Sequence, residues 1–254
     1  MWNRPQLMIA ISDLLWVAGA ASLLVAGVVW SARMPWFPLQ EVVFQNELRE
    51  VRRAEIERSL AGRLRGNFFS ANLDSVRQSL EELPWVRRAE VRRQWPGRIE
   101  VTIEEHTPVA FWGQATGQLV NSYGEVFSAV LTVPPSRPMP LLVGPVGMAQ
   151  EMLEYFRQAE EMLAAVNRWP KALNVSARQA LQLRLDDGMV VELGRQQAKA
   201  PIRQRLERFV AHYPTVLTAA RQRPSVVDMR YPTGFALRVN APAVQTATES
   251  KGKQ

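Results

Sequence analysis

The chain has 254 residues and no cysteine, which excludes disulfide frameworks and thiolate metal sites. Its hydrophobic fraction of 47% is enough for an anchor and one or two modest packed domains. The formal net charge of +7 comes mostly from arginine. It fits a solvated surface, an acidic partner, an anionic membrane or nucleic acid, and charge alone does not choose among them.

From Leu7 to Trp30 the sequence is apolar except for Ser12, Asp13 and Ser22. A spanning helix needs about 20 mostly apolar residues, and this run supplies them. A cleaved signal peptide has an apolar region of only about 7 to 15 residues, so the run reads as a retained anchor over residues 7–32. Asp13 would cost about 2.5 to 3.5 kcal/mol at the bilayer centre; a span shifted toward Trp30 moves it near the headgroups. Trp30, Trp36 and Phe37 suit the far interface. Arg4 and the terminal amine on one side nearly balance Arg33 and Arg49 on the other, so charge counting leaves orientation open.

Leu39–Asn46 is rich in valine and phenylalanine and reads as a strand. Ile56, Leu60 and Leu64 recur at helical spacing, with Gly62 and Gly66 near the end. Leu73, Val76, Leu80 and Leu83 give a second amphipathic helix, capped by Asn72 or Ser70 and closed by Pro84. Two alternating strands follow, one through Ala89 and Val91, one through Ile99, Val101 and Ile103. Between them Pro96-Gly97 predicts a type II turn. The arginines Arg87, Arg88, Arg92, Arg93 and Arg98 read first as a solvated strand face. The order strand, helix, helix, strand, strand predicts a three-stranded sheet covered on one face by two helices.

Beyond residue 108, Val109–Trp112, Leu119–Asn121, Val126-Phe127 and Leu141–Val143 read as short strands. Four prolines within residues 133–140 mark a loop. Met152, Phe156, Ala159, Leu163 and Val166 fall on one helix face. Leu181, Leu183 and Leu185 alternate with Gln182 and Arg184; Asp187-Gly188 then signals a hairpin returning through Val190–Leu193. A third helix carries Ile202, Leu206, Phe209 and Tyr213 inward, and its Arg203, Arg205 and Arg208 are expected in solvent. Ser225–Arg230 and Phe235–Val239 are the last strands, and 241–254 is a polar tail expected to be disordered. The fold class is thus α+β: one transmembrane helix, a β-α-α-β-β domain over 38–107, and a strand-rich domain with helices over 108–240.

No catalytic set emerges. His106 follows Glu104 and Glu105 at a strand end, and His212 ends a basic helix. On a strand, adjacent carboxylates point to opposite faces and cannot share a proton. There is no nucleophile elbow and no glycine-rich phosphate loop. The residues give no metal or cofactor site, and no aromatic stacking pattern for nucleic acid.

Pro38-Leu39, Leu83-Pro84-Trp85-Val86 and Arg93-Gln94-Trp95-Pro96 resemble the POTRA domain of the FtsQ family. Val143-Gly144-Pro145, Leu193-Gly194-Arg195, Arg208-Phe209-Val210 with Tyr213-Pro214, and Val227-Asp228-Met229-Arg230-Tyr231 are similar to its β domain in order and spacing. The resemblance covers nearly everything from Pro38 to about Asn240. It implies an inner-membrane protein of the division septum with a cytoplasmic N-terminus and a periplasmic body. Residues 1–6 are then a short cytoplasmic tail. It also implies a non-enzymatic scaffold that joins FtsB and FtsL and helps recruit and control septal peptidoglycan synthesis. The implied contact is strand addition at the last strands, where Arg230, Tyr231 and Gly234 match, with Arg195 on a neighbouring element. The strand around Arg88–Gln94 is the implied recruitment surface. The family's usual aromatic near the last strand's end is replaced around Val239. The rival readings are a POTRA-bearing transport or outer-membrane assembly factor, which would carry repeated POTRA units, and a membrane-tethered enzyme.

Overall fold

A computed structural model describes residues 5–33, 39, 41–63, 67–113, 116–135, 137–219, 224–232 and 234–239. The expectations for Leu64, Gly66 and the polar tail 241–254 fall outside these residues. The chain divides into two compact units, Met1–His106 and Thr107–Gln254.

The first element, α1 (Pro5–Arg33), is a single helix. Its stretch Ile9–Gly27 is long and apolar enough to cross a membrane, and none of that stretch is buried against protein. Leu14, Leu15, Trp16, Leu23 and Leu24 all face outward. A helix that is apolar all round and packs on no protein is matched to lipid as its solvent.

The rest of this unit has the expected order: β1 (Glu41–Phe44), α2 (Arg53–Leu60), α3 (Leu73–Glu81), β2 (Val86–Gln94) and β3 (Arg98–Glu105). The sheet runs β1-β3-β2, with β1 parallel and β2 antiparallel to β3. Ile99, Val101 and Ile103 of β3 are buried, as are Ile56, Val76 and Leu80 of the two helices. Trp85 is buried where α3 gives way to β2. Of the two candidate caps, Asn72 caps α3 by accepting from the Ser75 amide at 3.1 Å. Ser70 instead accepts from the Asn67 amide at 2.9 Å. The two glutamates closing β3 part as strand geometry demands. Glu104 pairs with Arg87 at 2.9 Å, while Glu105 accepts from the amides of Arg49, Glu50 and Val51.

One detail differs from expectation. The β2–β3 loop is Trp95–Gly97, because Gln94 pairs with Arg98. Its Trp95–Pro96 peptide bond is cis, which a type II turn does not contain, although Gly97 takes the expected positive φ of 73°. The arginine face is exposed as expected at Arg88, Arg92, Arg93 and Arg98, with Arg87 half-buried. Arg93 also donates to the carbonyls of Phe68 at 2.9 Å and Ala71 at 2.7 Å.

The second unit is a nine-stranded mixed sheet with two helices on one face. Its elements are β4 (Pro108–Trp112), β5 (Gln118–Asn121), β6 (Val126–Ser128), β7 (Leu141–Val143), α4 (Ala149–Leu163), β8 (Pro170–Val175), β9 (Ala180–Leu185), β10 (Val190–Arg195), α5 (Ile202–Ala219), β11 (Val226–Asp228) and β12 (Ala236–Arg238). The strand order is β12-β11-β10-β9-β8-β7-β4-β5-β6. Alternation decides the faces: Leu181, Leu183, Leu185, Val191, Leu193, Val227 and Met229 pack inward. Their cover is Met152, Phe156, Ala159 and Leu163 of α4, with Ile202, Leu206, Phe209, Tyr213 and Val216 of α5. Gly188 supplies the hairpin's positive φ of 87°. Its neighbour Asp187 accepts from the Met189 amide at 3.0 Å.

Strand β8 lies outside the expected elements, helix α4 stops at Leu163 short of the expected Val166, and the buried face of α5 runs past the expected Tyr213. In the structure Val166 belongs to a short 3₁₀ turn, Ala164–Val166. Helix α5 continues through Pro214, with Val216 fully buried beyond it.

Candidate partner-binding site

The four residues implied as a contact set lie at the β12 end of the large sheet. Among the described residues β12 has one neighbour, β11, so it forms the sheet's edge. An edge strand presents unpaired main-chain donors and acceptors.

A polar row crosses the outer face beside this edge. The register places Asn174 on β8 opposite Gln182 on β9, Gln182 opposite Glu192 on β10, and Glu192 opposite Asp228 on β11. These positions alternate with the buried leucines and valines, so the same pattern that builds the core turns them outward. A shallow cleft of about 220 Å³ follows the row, bordered by Asn174, Gln182, Glu192, Gly194 and Arg230.

Arg230 lies across this cleft. Its guanidinium donates to both carboxylate oxygens of Asp228, at 2.6 to 3.0 Å, and reaches Glu192 at 3.4 Å. Those bonds hold the Asp228 carboxyl below its ordinary pKa against the opposing effect of burial. They also raise the Arg230 pKa. The guanidinium fork of Arg230 is therefore already engaged within the chain. What Arg230 shows outside is a cation neutralised on one side.

Gly194 makes this arrangement possible. The β9–β10 register shifts between Glu192 and Gly194, and Gly194 has φ +71°. A Cβ there would stand 2.9 Å from Arg230 Cγ and 3.1 Å from its Cδ, so the glycine is the floor on which the arginine stem rests. Arg195 is next in the chain, exposed at the end of β10.

Tyr231 is 55% exposed. A Cβ added at Gly234 would meet nothing within 4 Å, so close backbone approach within the chain is not what places glycine there. Val239, where an aromatic was looked for, is 37% exposed.

Sequence reasoning missed what holds the edge in place. Arg205 and Arg208 of α5 were expected in solvent; the structure turns both inward. Arg205 is 3% exposed and donates through Nη1 to the carbonyls of Leu193 and Arg195. Burial lowers its pKa, and the neighbouring charge of Arg208 adds to the effect. Arg208 donates to the carbonyls of Met229 at 2.9 Å, Tyr231 at 2.7 Å and Pro232. A guanidinium has five fixed donors, so one side chain can gather several carbonyls of a single turn. Only Arg203 behaves as expected, exposed and paired with Glu207 at 3.0 Å. The available signal was spacing: Arg205 and Arg208 flank Leu206 and Phe209 on the inward face.

His212 Nδ1 lies 2.9 Å from the Arg208 carbonyl and its ring stacks obliquely on Phe235. Among the described residues no cluster of three or more histidines, aspartates and glutamates could hold a metal. On the implied recruitment strand, Arg92 pairs with Glu90 at 2.9 Å, and Arg88 is exposed.

The comparisons agree with both units. The family described as cell division protein FtsQ/DivIB, C-terminal, matches residues 110–230, and the FtsQ-type POTRA domain matches residues 37–106. Tyr231 and Gly234 lie just past the first of these matches. The chain is 34% identical to cell division protein FtsQ of Burkholderia pseudomallei over 254 residues, the whole of both chains. It is 34% identical to that of Nitrosospira multiformis over 243 residues, covering 94% of this chain and 99% of the relative. It is 32% identical to that of Escherichia coli over 228 residues, covering 85% and 79%. On a free sheet edge braced from within, a helix fit to cross a membrane, and similarity along its whole length, the chain belongs to the FtsQ/DivIB family of cell division proteins.

Proposed function

We propose that this membrane-anchored cell division protein is a non-enzymatic scaffold. It binds FtsB, with FtsL, by accepting a strand of FtsB along β12. In this reading the N-terminus is cytoplasmic, both folded units are periplasmic, and the bound complex helps recruit and control septal peptidoglycan synthesis. The observation that supports it best is β12 itself, a three-residue edge strand whose approach turn is fixed by Arg208. Strand addition draws affinity from main-chain bonds and specificity from neighbouring side chains. Tyr231 offers a rigid, exposed aromatic face, and Arg195 offers a cation at the end of β10.

The internal engagement of Arg230 refines its part. Asp228 and Glu192 hold it over the cleft, so it contributes a fixed donor array and not a freely swinging hook. The proposal is tested by a pull-down of the full chain in detergent with FtsB of the same organism, alone and with FtsL. Saturable binding that Tyr231→Ala weakens supports it. Wild-type protein that is folded yet captures neither partner removes it.

A further inference from the structure

We infer that the β2–β3 hairpin tip, with the Phe68-Phe69 segment beneath it, is a lipid-contacting wedge. It would rest on the headgroup layer of the membrane that α1 spans.

The register decides which end of the small sheet faces the anchor. Gln94 pairs with Arg98, and Arg98 pairs with Glu41, so these three residues form the last row across the sheet. Glu41 is also where the chain enters β1 from α1. The loop Trp95–Gly97 projects past that row, on the anchor's side. From Arg33, which ends α1, to Glu41 there are eight peptide steps, at most about 29 Å if fully extended. Trp36 and Phe37 lie within those steps, and aromatic residues at this distance from a span favour the interface. The sheet end is thus tethered close to the bilayer by covalent structure alone.

The surface at that end has interfacial chemistry. Trp95 is 64% exposed and Phe69 46%. They are not loose: both stand on buried Phe68, Trp95 edge-on at 5.9 Å and Phe69 edge-on at 5.1 Å. Arg93 fixes the base by donating to the carbonyls of Phe68, Phe69 and Ala71. Arg92 and Arg98 flank the tip, with side chains 73% and 51% exposed, against Glu90 and Glu41. Exposed pairs of this kind are weak, so lipid phosphates can compete for the arginines. Rigid aromatics flanked by arginines are the composition of a membrane–water interface.

This inference rests on α1 spanning the membrane and is independent of the partner proposed for β12. Because the chain has no cysteine, single cysteines can carry a fluorophore. The full chain is placed in phosphatidylethanolamine–phosphatidylglycerol nanodiscs with a probe at Gln94→Cys or, at the opposite end of the sheet, Glu50→Cys. Quenching by lipid-borne nitroxide is compared with quenching by aqueous iodide. Co-elution of the chain with the disc reports separately whether α1 inserts. The expected result is lipid quenching several-fold stronger at position 94 than at 50, largely lost in Phe69→Ser/Trp95→Ser and retained in Phe69→Tyr/Trp95→Phe. Equal lipid quenching at both sites overturns the inference. So does a position-94 probe shielded from both quenchers, which would mean a protein covers the tip. Lipid quenching that persists in the serine variant also overturns it, because the tether alone would then explain proximity.

Discussion

Arg208 donates to the main-chain oxygen of Tyr231 at 2.7 Å, so helix α5 anchors the backbone of an exposed tyrosine. Its other two acceptors, Met229 and Pro232, bracket the same turn. Replacing Arg208 by alanine should lower unfolding stability by about 1.5–3 kcal/mol, the scale of hydrogen bonds from a charged donor, as read by urea denaturation. Amide exchange should accelerate through residues 229–238 more than in β9. Uniform acceleration across the sheet would show that Arg208 braces the whole unit.

Tyr231→Ala should separate binding from folding. The side chain is mostly outside, and surface substitutions of this kind change stability by about 0.5 kcal/mol or less. A tyrosine anchor at an interface is worth about 2 kcal/mol or more, so affinity for FtsB should fall at least about tenfold. Titration by fluorescence anisotropy, with a thermal melt of the same sample, checks both halves.

Gly194→Ala should be costly although it adds one methyl group. It would force a residue with φ +71° to carry a Cβ, 2.9 Å from Arg230 Cγ. Positive φ at a non-glycine residue costs about 1–3 kcal/mol. The arginine stem must also move, so the Arg230–Asp228 bonds should loosen. The double variant Gly194→Ala/Arg230→Ala should cost less than the two single effects added. Strict additivity in denaturation would disprove the contact.

Acid should expose the same pair. The Asp228 pKa is held below its ordinary value near 3.8, first by hydrogen bonds from Arg230. A carboxyl whose pKa is lower folded than unfolded stabilises the protein fully above the unfolded value. That contribution is lost as pH falls through the folded value. Stability should therefore decline on acidification below about pH 4, and Asp228→Asn should remove this part of the decline. Urea midpoints taken from about pH 5 to about pH 2.5 would show it; parallel curves for the two proteins would rule it out.

Much of the fold was legible because it rests on local pattern. Leu181, Leu183 and Leu185 alternate, Asp187-Gly188 turns, and Met152, Phe156, Ala159 and Leu163 share one helix face; each signal lies within a dozen residues. The apolar run in α1 likewise declares a membrane helix by length alone. The placement of Arg195, Arg230, Tyr231 and Gly234 near one sheet edge was implied by resemblance and not by any such pattern.

What stayed hidden depends on residues far apart in the chain. The strand β8 begins with Pro170, which reads as a breaker; it is held between β7, some thirty residues earlier and parallel, and β9, antiparallel. Arg205 and Arg208 look like solvent-facing charges on a basic helix. They turn toward the sheet because the fold brings the carbonyls of Leu193 and Arg195 within reach of Arg205, and those of Met229, Tyr231 and Pro232 within reach of Arg208. Arg230 reads as a free cation until the sheet register sets Glu192 beside Asp228. The sequence by itself determined the anchor, the helices, most strands and which side chains face the core, since hydrophobic periodicity is a local property. Only the tertiary structure decided which charges remain free to meet a partner, because pairing is settled by whatever the fold brings within reach.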